Sequence, residues 1–187
     1  MTGTRKRAGK SGPGSVGGAV RLPGPGPVAG WLRSGTATGR AGLGTLAGMR
    51  IAYGADDENE TTKAVVEYLS KQGHEVVPAT ASDRWPDIGE AVGRAVAGGT
   101  ADYGVVLCWT GTGTSIAANK VPGVRAALAW EPWIAKGARL WNDANVLALS
   151  LKRLAPPVAV EVVQAFLETP EPDADEAENI ARLDVIR

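Results

Sequence analysis

The stretch CWTGTGTS, residues 108–115, gathers a thiol, four hydroxyls and two glycines between the apolar run YGVVL and the segment IAANK. Three readings suit such a cluster: a cradle for phosphate, a nucleophile or base held over a ring of backbone amides, or a tight turn between strand and helix. The phosphate reading can be checked against spacing. A P-loop needs G-x-x-x-x-G-K-[ST] and a dinucleotide fingerprint needs G-x-G-x-x-G. Ile116 stands where the third glycine would be, and Lys120 has the wrong offset for a P-loop, so both nucleotide motifs fail.

What remains is a loop whose Gly111 and Gly113 let N–H groups turn toward an anion at a helix N-terminus, where the helix dipole is positive. An oxyanion formed during a reaction is held by the same arrangement. Cys108 lies just upstream in that field, which favours a thiolate able to act as a base. The competing reading makes Cys108 a small buried hydrophobe that ends a strand.

Such a loop needs a strand before it and a helix after it, and the sequence from Met49 onward supplies both repeatedly. RIAYGA, EVVPA, YGVVLCW, RAALAW and VLALSL are short β-rich runs, apolar almost throughout, as strands covered on both faces are. Between them TTKAVVEYLSKQ, IGEAVGRAVAGG, TSIAANK and PWIAKGARLW place apolar residues at helical spacing, and PVAVEVVQAFLET follows the last run. Gly73 and Gly98-Gly99 fall where helices end. The alternation predicts an α/β fold, a three-layer Rossmann-like (flavodoxin-like) five-stranded parallel sheet with helices on both faces. Ligands in such sheets sit beyond the strand carboxyl ends at a switch in strand order. GADDENE and CWTGTGTS are the polar loops expected there. The tail PEPDADEAENIARLDVIR reads as an acidic loop and a short terminal helix.

Residues 1–48 differ in kind. They hold Arg5, Lys6, Arg7, Lys10, Arg21, Arg33 and Arg40, no acidic residue, and dense Gly-Pro punctuation such as RLPGPGPVAG. This segment is expected to be a disordered basic leader, or a start assigned ahead of Met49, and residues 49–187 to form the α/β domain. The neutral total therefore divides into a basic leader and a body with thirteen basic against twenty acidic residues. An acidic body argues against a nucleic-acid groove. No apolar run reaches the roughly 18 to 20 residues that span a bilayer, and the leader lacks a secretory pattern, so neither membrane nor nucleic acid is expected as a partner and the expected location is cytoplasmic. With one cysteine and one histidine, His74, there is neither an intrachain disulfide nor an ordinary zinc cluster. His74, before the second strand, is far in topology from the strand carboxyl ends and is assigned no catalytic role.

The run C-x-T-G-x-G-x-S-I-A-A-N-K-x-P-G-x-R-A-A, here CWTGTGTSIAANKVPGVRAA, resembles the signature of the ribose-5-phosphate isomerase B family, which includes the galactose-6-phosphate isomerase subunits. RIAYGADD resembles that family's first strand and Asp-His loop, WPDIGEAV its Tyr-Pro-Asp helix start, EPW its Glu-Pro-Tyr, and NDANVLAL its Asn-Asp-x-Asn-Val-Leu strand. The resemblance implies aldose–ketose isomerisation through a cis-enediolate without metal or other cofactor, in a homodimer or tetramer with sites at subunit interfaces. It implies Cys108 as the base, although some members use a glutamate at the position of Thr114. Thr110 would bond the moving hydroxyl, and the amides of Gly111, Thr112 and Gly113 would hold the enediolate. Asp56 and Asn142 would bind sugar hydroxyls.

The departures from the pattern are chemical. The family's ring-opening histidine is Trp141, whose indole has no proton to exchange near neutrality. The phosphate-binding histidine of the first loop is Asp57, and the first arginine of the Arg-His-x-x-Arg segment is Glu178, while the second survives as Arg182. The arginine after the fifth strand is replaced by Lys152, with Arg153 adjacent. A phosphate dianion near Asp57 and Glu178 in a dry site would meet repulsion on the order of several kcal/mol at an effective dielectric near 20. Trp109 follows the cysteine, and Trp130, Trp133 and Trp141 lie on neighbouring loops, suited either to the C–H faces of a sugar or to core and interface packing. The expected ligand is thus a sugar or sugar phosphate other than ribose 5-phosphate. Two further readings stand beside the isomerase: a catalytically inactive sugar-binding or assembly paralogue, and a nucleotide- or flavin-binding module of the same fold.

Overall fold

Five strands pair in parallel in the order β2-β1-β3-β5-β4. They are β1 (Arg50–Ala55), β2 (Glu75–Pro78), β3 (Tyr103–Cys108), β4 (Ala126–Leu128) and β5 (Val146–Ser150). The computed structural model describes residues 48–186, and the leader expected over residues 1–48 lies, apart from Gly48, outside them. The helices are α1 (Glu60–Lys71), α2 (Trp85–Ala97), α3 (Thr112–Asn119), α4 (Pro132–Asn142), α5 (Pro156–Leu167) and α6 (Ala177–Leu183), the last preceded by a 3-10 turn, Ala174–Glu176. The expected α/β architecture is present.

Period-two alternation along the strands divides the core into two layers. Ile51, Val105, Leu107, Leu147 and Leu149 join Val65, Leu69 and Phe166 on the face covered by α1, α4 and α5. Ala52, Val106, Val146 and Ala148 join Ile88, Val92 and Ala118 on the face covered by α2 and α3. Small residues bring α2 and α3 close: a Cβ on Gly89 would stand 2.6 Å from the carbonyl oxygen of Thr114. The first turn of α3 is therefore pressed into place from behind.

Local chemistry sets the helix ends. Asn59 caps α1 by accepting from the N–H groups of Thr61 and Thr62, while Thr62 returns a bond to its backbone. Gly73 and Gly99 follow α1 and α2 with positive φ, as their placement predicted. α2 begins at Trp85, three residues before the apolar spacing that starts at Ile88, with Pro86 in its first turn, as the resemblance of WPDIGEAV to a helix start implied. β4 keeps only three residues of RAALAW: the Asn119 side chain pairs with both backbone groups of Ala126 at 2.8 Å and occupies the sheet edge there.

Beyond α5 the chain is held by one buried cation. Arg139 donates to the carbonyls of Thr169, Pro170 and Ala144, to the Tyr103 hydroxyl and to Asp143. Its guanidinium also lies over the Tyr103 ring at 4.8 Å.

Candidate active site

The carboxyl ends of β1 and β3 are neighbours, yet the chain leaves β1 for α1 on one face and β3 for α3 on the other. That is the switch point at which an open parallel sheet forms a crevice. Cys108 ends β3, and Asp56 is the first residue after β1. The Asp56 N–H donates to the Leu107 carbonyl at 3.2 Å, fixing the first loop to β3. Burial raises the Asp56 carboxyl above its ordinary range; the N–H of Trp109 and its own N–H pull it back, and Asp57 adds to the rise. Asp56 itself is half-buried at this strand end. Asp57 is exposed beside it.

Cys108 is 4% exposed and lies under the first turn of α3. The fully buried Thr114 donates its hydroxyl toward the sulfur at 3.4 Å and toward the Gly111 carbonyl at 3.3 Å. Gly111 turns the chain at φ +76° and is the residue just before α3. A side chain there would be doubly excluded, since a Cβ would also come within 2.9 Å of the Leu149 backbone. The helix expected from Thr114 consequently starts two residues earlier, at Thr112. Thr110 and Thr112 share a hydroxyl–hydroxyl bond of 2.6 Å at the exposed rim. Among the described residues, the N–H groups of Thr110, Gly113 and Thr114 meet no acceptor, and that of Thr112 reaches only the Thr110 hydroxyl at 3.4 Å. The loop offers hydrogen-bond donors to an anion, as a helix N-terminus does.

β5 brings the remaining cations. Lys152 donates its N–H to the Trp109 carbonyl at 3.0 Å, and its ammonium lies 5.2 Å from the centre of the Trp109 ring. Among the described residues neither Lys152 nor Arg153 is paired with a carboxylate. Asp56, Cys108, Trp109, Thr110, Gly111, Thr112, Gly113, Thr114 and Lys152 therefore gather at one end of the sheet.

Trp141, Asn142 and Arg182 do not join them. α4 starts beyond the carboxyl end of β4 and returns to the amino end of β5, so Trp141 and Asn142 in its last turn lie at the opposite end of the sheet from Cys108. α6 is tied to that same end through Asp184, which pairs with Arg125 at 3.1 Å just before β4. Asp143, at φ +44°, joins this network by pairing with both Arg125 and Arg139. Trp133 and Trp141 meet edge to face at 5.6 Å along α4, both exposed.

Trp85 was given no site role from sequence, yet it borders the loop: a Cβ on Gly113 would lie 2.9 Å from its ring, which is 46% exposed. The signal available was the Trp-Pro pair opening α2. A cleft of about 640 Å³ opens on the α1 side of the first loop, lined by Ala55 and Glu58 of GADDENE with Tyr53, Thr62, Val76 and Pro78, and by none of the residues individually expected in the site. Burial pushes the Tyr53 phenol up to about 12, against a smaller lowering by the nearby Thr62 side chain. His74 is buried at the far end of the sheet, in the turn between α1 and β2. No group of three metal-ligating side chains converges among the described residues, and none of their helices is long and apolar enough to cross a membrane.

The sequence pattern described as Ribose/Galactose Isomerase matches residues 51–186. The chain is 39% identical over 123 residues to ribose-5-phosphate isomerase B of Escherichia coli, a match spanning 63% of this chain and 83% of that one. It is 34% identical over 126 residues to D-erythrulose-4-phosphate isomerase of Pectobacterium atrosepticum, over 64% of this chain and 83% of the relative. The solved structure of Clostridium thermocellum ribose-5-phosphate isomerase B superposes with a TM-score of 0.68 at 34% identity, covering 73% of this chain and 95% of that protein. The matched span holds both strand ends, the amide loop and all five strands, and the chain belongs to the ribose/galactose isomerase family.

Proposed function

We propose that this protein interconverts an aldose and a ketose by moving a proton between C1 and C2 through a cis-enediolate, with Cys108 as the base. The observation that carries the reading is the placement of the Cys108 sulfur beneath a loop with unpaired N–H groups. The thiolate would remove the proton α to the carbonyl while the amides of Thr110, Thr112 and Gly113 stabilise the charge moved onto oxygen; the Gly111 N–H, expected to share that role, is already bonded to the Cys108 carbonyl at 3.2 Å. Thr110 would bond the hydroxyl that becomes the new carbonyl, and Asp56 would bind a sugar hydroxyl. No step calls for a metal or another cofactor.

The substrate is a sugar or sugar phosphate other than ribose 5-phosphate. The two relatives above are named for different sugar phosphates. Lys152 and Arg153 offer charge to an anionic end, whereas Asp57 opposes it and Trp141 cannot open a sugar ring. Trp85 and Trp109 flank the loop with exposed indole faces that suit the C–H face of a sugar.

The location of Trp141, Asn142 and Arg182 supports a homodimer or a larger symmetric assembly in which one subunit's far end completes the other's Cys108 site. A catalytically inactive sugar binder is the second reading, favoured by the loss of the ring-opening histidine at Trp141. A panel of free and phosphorylated aldoses and ketoses, assayed for isomer formation, tests the proposal. Binding without conversion of any of them supports the second reading.

A further inference from the structure

Ser150 is a buried polar side chain, 8% exposed, that sits in register beside Cys108 on the adjacent strand. Its oxygen accepts from the Arg153 N–H at 3.1 Å. A backbone N–H can only donate, so the single hydroxyl proton is left to point at the Trp109 carbonyl, 2.9 Å away. That carbonyl receives a second bond from the Lys152 N–H. The Trp109–Thr110 peptide is thus held from the β5 side by two donors.

A trans peptide carries its C=O and N–H in opposite directions, and the described residues contain no cis bond. Fixing the Trp109 carbonyl toward β5 therefore turns the Thr110 N–H away from β5, and that N–H has no acceptor among the described residues. If this peptide rotated, a carbonyl oxygen would stand where the loop offers a donor, and an anion would meet repulsion in place of a hydrogen bond. We infer that Ser150 is a positioning residue: its hydroxyl locks the Trp109–Thr110 peptide so that the Thr110 amide joins the donors that hold the enediolate.

This inference rests on the isomerase reading for its kinetic consequence but on the hydrogen bonds alone for its geometry. Ser150→Ala removes the hydroxyl and leaves only the Lys152 bond, in a side chain small enough to fit. Removing an oxyanion donor outright costs on the order of 100- to 1000-fold in kcat; weakening its support should cost about 10- to 100-fold with KM within about twofold. Ser150→Thr keeps the hydroxyl and should recover most of the loss.

The second readout needs no turnover. Glycolohydroxamate, a small planar mimic of an enediolate, is titrated into isotope-labelled protein while the Thr110 amide resonance is followed. A large shift in the wild type that is absent in Ser150→Ala supports the inference whether or not any sugar is isomerised. Failure of the whole sugar panel would remove the isomerase reading and leave this titration to decide. An unchanged kcat in Ser150→Ala beside an active wild type overturns the inference, as does a Thr110 resonance unmoved by saturating probe or one that moves equally in both proteins.

Discussion

The Thr114 hydroxyl donates toward the Cys108 sulfur across 3.4 Å, inside a turn where Thr114 is fully buried and Cys108 nearly so. Cys108→Ala removes the proposed base but not the frame, because Thr114 keeps its bond to Gly111 and alanine is a small side chain on the same strand end. Isomerase kcat should fall by about a hundredfold or more, the usual share of a positioned acid or base. The stability should fall by no more than the loss of one buried sulfur implies, about 1 kcal/mol. Steady-state kinetics with a melting curve on the same sample checks both.

Arg139 holds the segment after α5 through three backbone carbonyls, one phenol and one carboxylate, at 2% exposure. Arg139→Met keeps much of the volume and leaves all five partners short of a donor. Truncating one member of a buried charged pair costs roughly 3 to 5 kcal/mol, and a loss of that order is expected in urea unfolding. A loss under about 1 kcal/mol would mean that water replaces the guanidinium easily.

His74 is buried with its Nδ1 lacking a partner among the described residues, and burial lowers its pKa below the ordinary 6.5. The unfolded chain therefore binds a proton that the folded chain resists. Its contribution is present above pH 6.5 and is lost as pH falls through the window beneath it. Asp102, lowered by its bond to Arg50, acts in the same direction only below pH 3.8. Unfolding free energy measured from pH 8 to pH 5 should decline in the wild type and be flatter in His74→Gln.

Strand positions, the crevice loops and the amide loop were legible because apolar runs and glycines report local geometry directly. GADDENE and CWTGTGTS did converge, since parallel strands force the ends of β1 and β3 together. The start of α3 was displaced because Gly111, at φ +76°, turns the chain earlier than side-chain periodicity shows. Trp85 and Ser150 were missed for a different reason. Each reaches the loop across space, from α2 and from β5, and no spacing within one segment records such a contact. The separation of Asn142 from Cys108 is likewise a property of how α4 runs back along the sheet.

That separation gives a subunit-mixing prediction. Cys108→Ala and Asn142→Ala should each be inactive alone. If a site takes Cys108 from one subunit and Asn142 from its partner, a denatured and refolded mixture contains hybrids with one intact site, and activity should return to on the order of a quarter of wild type. A mixture as inactive as its components would place both residues in one subunit's site, against the fold.

The central claim is that Cys108 moves a proton at C2. It is tested most directly by incubating each sugar and sugar phosphate with the protein in D2O and following the C2 proton by NMR. The account predicts deuterium entering at C2 of one aldose with the wild type, and no incorporation above background with Cys108→Ala. Tight binding of a sugar without exchange, or exchange that persists at the wild-type rate in Cys108→Ala, would contradict it.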